Sequence, residues 1–217
     1  MRKRESSDNM RIRNIKNADE IIKDNKYIIE NPEKYKGHYQ ELFSNNNEIH
    51  LEIGMGKGDF IISKALNNPD INFIGLEKYT SIVARAVKKL EDLDLTNLKI
   101  INGDALNLNN IFEKEISTIY LNFSDPWPKA RHSKRRLTSD TFLNIYDDVF
   151  KNKCVILQKT DNTNLFESSI ISLTNYGYKI EDMSLDLWST DKFYEETEYE
   201  RKFKNKGIKI NYLKATK

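Results

Sequence analysis

Acidic side chains follow three successive short apolar runs in the first half of the chain. The run "IHLEIG" carries Glu52, "NFIGLE" ends in Glu77, and "LKIINGDA" continues to Asp104. Carboxylates in such places can accept hydrogen bonds from the two hydroxyls of a ribose or from an exocyclic amine. Each acid taken alone is equally well explained as a solvated loop residue or a helix cap. Their recurrence after three runs favours a binding site.

A loop of alternating glycines follows the first of these acids. The stretch "EIGMGKGDF" places Gly54, Gly56 and Gly58 two positions apart. Glycines let the backbone turn tightly and approach a ligand closely before a helix begins, although the same spacing also suits a plain tight turn. The dinucleotide fingerprint G-x-G-x-x-G is not matched, because the third glycine comes one position early. Glu52, two residues before the loop, would also repel a pyrophosphate.

The acids and the glycine loop together predict a nucleoside ligand that carries positive charge and no phosphate. S-adenosylmethionine fits this description, since its sulfonium and amino groups are cationic and its adenosine offers a ribose diol. This layout resembles that of the Rossmann-like methyltransferases. The predicted cofactor contacts are Glu52, Gly54, Gly56, Gly58, Glu77 and Asp104.

A fourth run, "TIYLNF", leads into the most unusual stretch of the chain, "SDPWPKARHSKRRLT". It holds the acid Asp125, followed by a cluster of cations without an acid among them. Such a cluster at the rim of a pocket favours contact with nucleic-acid phosphates, and a merely solvated loop is the alternative. The cations are Lys129, Arg131, Lys134, Arg135 and Arg136.

Short apolar runs alternate with helical patterns along the middle of the chain, which predicts parallel strands joined by helical crossovers. The expected fold is therefore α/β, with a doubly wound, mostly parallel sheet of the Rossmann-like methyltransferase type. In such a sheet ligands bind beyond the carboxyl ends of the strands, where the acids lie. The tail "GIKINYLKATK" alternates and predicts a further, antiparallel edge strand. Strands are expected from Ile49, Asn72, Leu98, Thr118 and Cys154.

The chain before the first strand is predicted to divide into an arm and a helical segment. Residues 1–20 are basic and hold few core-forming side chains, so we expect a flexible arm, with a solvated tail that has no role as the alternative. From Glu20 to Phe43 the pattern predicts a helix broken near Pro32 and then a second helical piece. Residues 21–217 are expected to form a single domain.

The composition bounds the class of protein. The 217 residues are 38% hydrophobic and 31% charged, which allows one packed core, and the net charge of +2 says little about partners. Cys154 is the single cysteine, so a disulfide framework is excluded and a reducing compartment is expected. Since no stretch of about 18 apolar residues occurs, we expect a soluble, cytoplasmic protein. His38, His50 and His132 lack the spacing of metal ligands, and no metal is predicted.

Five segments together resemble the bacterial tRNA (guanine-N(7)-)-methyltransferase family: "LEIGMGKGDF", "IGLE", "YLNFSDPWPKARHSKRRLT", "QKTDN" and "TEYE". The resemblance runs from about Tyr27 to the carboxyl terminus, and the Asp-Pro-Trp-Pro-Lys segment is its most distinctive part. Small departures at Ala130 and Gln158 do not touch the functional positions. The resemblance implies S-adenosylmethionine as cofactor and methylation in the variable loop of tRNA. We expect no obligatory protein partner.

The resemblance also implies roles for individual residues. It makes Asp125 catalytic. It implies an RNA-binding loop composed of Arg131, His132, Ser133, Lys134, Arg135 and Arg136. It implies substrate contacts at Lys129, Asp161, Thr197, Glu198, Tyr199 and Glu200. Without the resemblance, Asp161 would be read as a helix N-cap and the segment around Thr197 as a charged amphipathic helix.

The chemistry expected of Asp125 follows from the base. Guanine N7 has an in-plane lone pair at neutral pH, so it can attack a sulfonium methyl without losing a proton, and no general base is needed. Positive charge then appears on the purine, where a fixed carboxylate would stabilise it. We hypothesise that Asp125 orients guanine through its N–H donors and offsets this charge; a structural turn at Asp-Pro is the alternative. Phe123 and Trp127 could stack on the base or lie buried under the loop.

Two other functions stay open from the sequence. The "SDPW" segment is similar to the aspartate-proline-proline-aromatic motif of amino methyltransferases, which would place the methyl on an exocyclic amine. The other alternative is an RNA-binding protein that keeps the fold and lacks turnover, although the intact acids at the strand ends argue against it. The methylated product distinguishes the first alternative, and cofactor binding distinguishes the second.

Overall fold

The strands of the described residues form one seven-stranded sheet. The structure is a computed structural model, and it describes residues 15–190, Glu200, Phe203 and 206–217. The strands are β1 (Ile49–Ile53), β2 (Asn72–Glu77), β3 (Leu98–Asn102), β4 (Ile116–Asn122), β5 (Phe150–Thr160), β6 (Lys179–Ser184) and β7 (Asn211–Thr216). Their order across the sheet is β3-β2-β1-β4-β5-β7-β6.

Helices connect the parallel strands and cover both faces of the sheet. Strands β1 to β5 pair in parallel, which confirms the predicted doubly wound α/β fold. Every residue of β1 is buried, because a central parallel strand has helices over both of its faces. The helices are α1 (Ala18–Ile22), α2 (Asp59–Asn67), α3 (Thr80–Lys89), α4 (Leu108–Ile111), α5 (Asp140–Val149) and α6 (Thr163–Asn175). Short 3₁₀ turns span Pro32–Tyr35, Tyr39–Phe43, Ala105–Asn107, Ala130–Arg135 and Leu187–Ser189.

The carboxyl-terminal strand is antiparallel, as its alternating sequence predicted. Because β7 pairs with both β5 and β6, it lies one place in from the edge, and β6 is the outermost strand. Sequence reasoning did not foresee β6, whose residues alternate between exposed and half-buried positions. No position of β6 is fully buried, so the strand needs few apolar side chains and its sequence carries a weak signal.

The segment before β1 differs most from the expectation. The predicted long helix from Glu20 is wrong, because α1 is short and the chain turns at Asp24 and Asn31, with φ of 54° and 50°. Ile28 instead forms a parallel bridge with Ile100 of β3. The apolar residues that suggested one face of a helix therefore belong to a segment that packs along β3, at the edge of the sheet.

Strand alternation decides which face of the sheet each side chain joins. Leu51 of β1 belongs to the apolar layer that α4, α5 and α6 complete. Its neighbour His50 points to the opposite face, where its ring contacts Phe73 and Tyr120. Glu52 follows His50 by two residues, so it lies on this second face, which α2 and α3 cover.

Some expectations concern features beyond these elements. No helix within residues 15–190 and 206–217 is both long and apolar enough to cross a membrane. Most of the basic arm predicted for residues 1–20 lies outside the described residues. That arm, and the single domain over residues 21–217, stay predictions.

Candidate active site

The predicted acids lie where the parallel strands end, on the side of the sheet formed by the strands' carboxyl ends. Glu52 of β1 lies beside Gly75 of β2 in the parallel register, and Glu77 is the last residue of β2. On the other side of β1, Asn122 ends β4 and donates a hydrogen bond from Nδ2 to Glu52 Oε1 at 2.8 Å. Three neighbouring strands thus contribute polar side chains to one crevice.

Glu52 is a buried acid with half of its carboxylate unused. The residue is 2% exposed. Oε1 accepts the bond from Asn122, whereas Oε2 has no hydrogen-bond partner in the described part of the chain. Burial raises the pKa of this carboxyl to about 8, against the opposing effects of the Asn122 hydrogen bond and the Lys159 charge. Since an unpartnered buried acceptor costs free energy, the site is suited to a ligand that brings a cationic donor.

Glu77 is held by the glycine loop. Its Oε2 accepts from the Gly56 N–H at 3.1 Å, and its Oε1 accepts from the Tyr79 N–H at 3.0 Å. Burial raises the pKa of Glu77, backbone hydrogen bonds act against the rise, and the Asp125 charge adds to it. The Asp125 carboxylate is therefore near enough for its field to reach Glu77.

The glycine loop leaves open space beside these acids. Gly54, Gly56 and Gly58 have φ of 74°, 58° and 78°, in the left-handed region that favours glycine. A Cβ at Gly54 or Gly56 would have no other atom within 4 Å, so a ligand can approach the backbone there. A Cβ at Gly58 would lie 3.2 Å from the Ala86 Cβ, so this glycine lets α2 and α3 pack closely.

Sequence reasoning missed a fourth glycine, Gly75, which supports the loop from β2. A Cβ at this position would overlap the Sδ atom of Met55, a loop residue that is 5% exposed. The available signal was a glycine inside a strand run, which indicates the close approach of another group. The missing side chain at Gly75 therefore lets Met55, and with it the glycine loop, pack directly on β2.

Asp104 lies beyond the third strand end but already has partners. Its Oδ1 accepts from the Leu106 N–H at 3.0 Å, and its Oδ2 pairs with Lys78 Nζ at 2.7 Å. Burial raises the pKa of this carboxyl, but the hydrogen bonds from Lys78 and Leu106 outweigh burial, and the net pKa is lowered. The capping role that the sequence left open is thus present, and Asp104 stays ionised beside the crevice.

Two exposed apolar side chains follow the acids in the chain, one after β2 and one after β3. Tyr79 follows Glu77 and is 54% exposed, and Leu106 follows Asp104 and is 51% exposed. Sequence reasoning did not single out either residue. Their position after the two acids offers apolar surface next to polar acceptors, the combination that a flat heterocycle requires.

The turn after β4 has an unusual backbone conformation. Phe123 and Trp127 have φ of 51° and 40°, which non-glycine residues seldom adopt and which recurs at functional sites. Arg136 braces this turn, because its Nε donates to the Pro126 carbonyl and its Nη2 donates to the Trp127 carbonyl, both at 3.1 Å. Asp125 lies within this turn and is exposed.

The cations of the basic loop after this turn differ in their exposure and in their contacts. Arg135 lies over the Trp127 ring, with its guanidinium carbon 4.9 Å from the ring centroid, and His132 meets the same ring edge-on at 5.8 Å. Trp127 is accordingly packed among loop side chains. Arg136 is used inside the loop and is half-buried, whereas Arg135 is exposed. Lys129, Arg131 and Lys134 are also exposed, and Ser133 is half-buried.

The last predicted contacts lie beyond β5. Asn162 rather than Asp161 caps α6, because Asn162 Oδ1 accepts from the Leu165 N–H at 2.8 Å. Asp161 is exposed next to this cap. Glu200 is fully buried, and its Oε1 pairs with Lys159 Nζ at 2.9 Å. Thr197, Glu198 and Tyr199 lie outside the described residues.

The histidines give no sign of a metal centre. Within the part of the chain that the structure describes, no group of His, Cys, Asp and Glu side chains is arranged to hold a metal ion. His50 is a core residue, with Nδ1 2.9 Å from the Tyr120 hydroxyl, and burial lowers its pKa.

The sheet order and the acid-lined glycine loop define a Rossmann-like methyltransferase. A family model described as "Putative methyltransferase" matches residues 46–213. The fold is similar to that of a solved antibiotic-related methyltransferase, with a TM-score of 0.66 and 16% identity, covering 89% of this chain and 97% of that one.

Curated relatives narrow this class to one family. A tRNA (guanine-N(7)-)-methyltransferase of Lachnoclostridium phytofermentans is 47% identical over 211 residues, covering 95% of this chain and 98% of the relative. The protein of the same name from Bacillus cytotoxicus is also 47% identical, covering 95% and 96%. This chain belongs to the bacterial tRNA (guanine-N(7)-)-methyltransferase family, and the resemblance found in the sequence is confirmed.

Proposed function

We propose that this protein transfers a methyl group from S-adenosylmethionine to N7 of a guanine in the variable loop of tRNA. The observation that carries the proposal is the buried Oε2 of Glu52, which has no partner among the described residues, beside the open glycine loop. This arrangement suits a cationic ligand without a phosphate. The names of the curated relatives support both the methyl acceptor and tRNA as the substrate.

The residues at the strand ends fit S-adenosylmethionine. Glu52 Oε2 offers an acceptor for the amino group, and Glu77 lies where acids bind ribose hydroxyls in open α/β folds. Gly54 and Gly56 allow close approach to the backbone. Asp104 is placed to accept from the exocyclic amine of adenine. When bound, the cofactor supplies a methyl group on a sulfonium, which is electrophilic without further activation.

Asp125 is proposed to orient the guanine and to balance its charge. The N7 lone pair forms the new bond to the methyl carbon as the old bonding pair returns to sulfur, so no proton has to be removed. Positive charge then develops on the purine. The Asp125 carboxylate, exposed on a braced turn and near enough to act on Glu77, is placed to accept from the guanine N–H groups and to stabilise that charge.

The basic loop is proposed to bind the tRNA backbone. Its exposed cations suit phosphate contacts, which position an RNA without reading its sequence. Arg136 is half-buried and donates from Nε and Nη2 to two carbonyls, so we assign it to positioning the turn rather than to a phosphate. Lys129 and Asp161, both exposed, stay candidates for contacts to the substrate nucleotide.

We expect Arg135→Ala and Arg136→Ala to have different effects. Loss of the exposed Arg135 removes one phosphate contact, which should flatten the slope of log affinity against log salt concentration by about 0.7 to 0.9. Loss of Arg136 should leave that slope unchanged and lower the methylation rate roughly tenfold or more, because the turn that carries Asp125 loses two hydrogen bonds. Anisotropy titrations of labelled tRNA at several salt concentrations, with single-turnover rates, measure both effects.

These two variants serve as controls for each other, since each removes one guanidinium from the same loop. Equal changes in salt slope for the two variants would contradict the division of roles. A normal rate for Arg136→Ala would show that the turn does not depend on its brace.

The proposed reaction is tested with labelled S-adenosylmethionine and an unmodified tRNA transcript. Label is mapped by nuclease digestion and nucleoside chromatography, and the expected product is 7-methylguanosine at one variable-loop position. Label in an exocyclic amine would favour an amino methyltransferase and overturn the base assignment. Tight tRNA binding without transfer of label would favour a noncatalytic RNA-binding protein.

A further inference from the structure

Lys159 is a buried lysine between two buried acids. Its side chain is 6% exposed, and its Nζ lies 2.9 Å from Oε1 of Glu200, which is 0% exposed. In the parallel register of β4 and β5, Lys159 is the partner of Asn122, and Asn122 donates to Glu52. Lys159 therefore lies on the strand next to Asn122, and Asn122 hydrogen-bonds to Glu52, the acid proposed to bind the cofactor.

The charges that act on Glu52 come from several elements. Lys159 of β5 favours the ionised carboxylate, whereas Glu77 of β2 and Asp59 of α2 disfavour it. The Lys159 ammonium also lies 5.5 Å from the centroid of the Phe60 ring, which packs on the same face of the sheet. Among apolar neighbours a charge is weakly screened and acts over a longer distance.

We propose that Lys159 is a positioning residue that acts through Glu52: its buried ammonium favours the ionised form of Glu52, the form that attracts a cationic cofactor, and Glu200 fixes where the ammonium lies. This inference rests on the proposed cofactor site. It also gives the buried Glu200 a role, because the acid fixes the position of the Lys159 ammonium.

A purely structural ion pair predicts something different. Buried ion pairs can often be replaced by uncharged side chains of similar volume without loss of the fold, so a pair that only joins two segments would be dispensable to the cofactor. An ion pair that sets the charge state of Glu52 would not be dispensable. Without it, the affinity for a cationic ligand would change with pH over a different range.

The test uses the double variant Lys159→Met with Glu200→Gln, because the single Lys159→Met variant would leave Glu200 buried without this cation. Glu200→Gln alone is the matched control, since it keeps the ammonium and an amide oxygen that still accepts its hydrogen bond. Calorimetric titration with S-adenosylmethionine from pH 6 to pH 9 gives the dissociation constant and the pH at which binding is half-maximal.

Glu52 must be ionised to attract the cofactor's amino group, so affinity rises as pH increases through its pKa. Without Lys159 this midpoint should move upward by about one pH unit, with a roughly tenfold loss of affinity at pH 7. The titration of the ligand itself is common to all variants. Glu200→Gln should keep the wild-type midpoint as long as its amide holds Lys159 protonated. An unshifted midpoint in the double variant would overturn the role of Lys159.

Unfolding of the ligand-free proteins over the same pH range separates this inference from the proposed function. The raised pKa of Glu52 makes stability decline as pH rises towards that pKa, and in the double variant the decline should extend to higher pH. If this shift occurs but the wild-type protein binds no S-adenosylmethionine, the cofactor proposal fails while the action of Lys159 on Glu52 holds. If binding occurs and neither midpoint shifts, only the inference fails.

Discussion

Glu52→Gln should make the ligand-free protein more stable at pH 8 while removing nearly all of its affinity for S-adenosylmethionine. Glu52 is buried, and Oε2 has no partner in the described part of the chain, so ionising the carboxyl is costly until a cationic ligand binds. A glutamine removes this cost and keeps an oxygen that can accept from Asn122, while its amide N–H groups replace the unpartnered Oε2 and offset part of the gain. We expect a gain of about 2 kcal/mol at pH 8 and a loss of affinity of about 100-fold or more.

The sign of the pH dependence follows from the raised pKa. In the unfolded chain Glu52 titrates near its ordinary value of 4.5, and in the folded protein at about 8. Between these values the folded state holds a proton that the unfolded state has lost, so stability falls as pH rises through this window and then levels off. The Glu52→Gln variant lacks this contribution, and denaturant titrations at pH 5, 6.5 and 8 should show a flatter profile.

The exposed Glu91 supplies a matched control, since Glu91→Gln makes the same chemical change on the surface. It should keep cofactor affinity and change stability by no more than about 0.5 kcal/mol. A Glu52→Gln protein that is less stable than wild type at every pH would show that the unpartnered Glu52 carboxylate does not destabilise the folded protein. Undiminished affinity would remove Glu52 from the cofactor site.

The parts of the site that could be predicted from sequence are those set by chain position. Glu52 and Glu77 stand at the ends of apolar runs, and parallel strand ends must meet at one edge of the sheet. The alternating glycines are equally local, because a left-handed turn before a helix demands them. Such signals do not depend on knowing which strands are neighbours.

The missed parts depend on partners that are distant in the chain. Asn122 donates to an acid 70 residues away, and only the order of the strands brings the two together. Lys159 could be placed on a strand but not next to a buried Glu200. The same limit explains the segment before β1, where pairing of Ile28 with Ile100 overrides a helical pattern. Arg136 looked like one more exposed cation because the carbonyls it binds leave no mark in the sequence.

Asp125→Asn should lower the single-turnover rate of methyl transfer about 10²- to 10³-fold at saturating cofactor and tRNA, the usual cost of losing one fixed group that stabilises transition-state charge. The variant keeps the shape of the side chain and the Asp-Pro turn geometry, which Arg136 braces independently through two carbonyls. Because charge develops on the purine only during transfer, the dissociation constants of both substrates should change less than the rate. Rapid-quench assays with labelled cofactor give the rate, and titrations give the constants.

Asp70→Asn is the control for this variant, since Asp70 is an exposed aspartate just before β2, at the opposite edge of the sheet from the crevice. It should retain the wild-type rate. An Asp125→Asn enzyme with a wild-type rate would refute charge stabilisation and leave Asp125 as a turn residue. A fall in tRNA affinity that equals the fall in rate would instead assign the carboxylate to binding, because a group that stabilises only the transition state changes the rate and not the ground-state affinity.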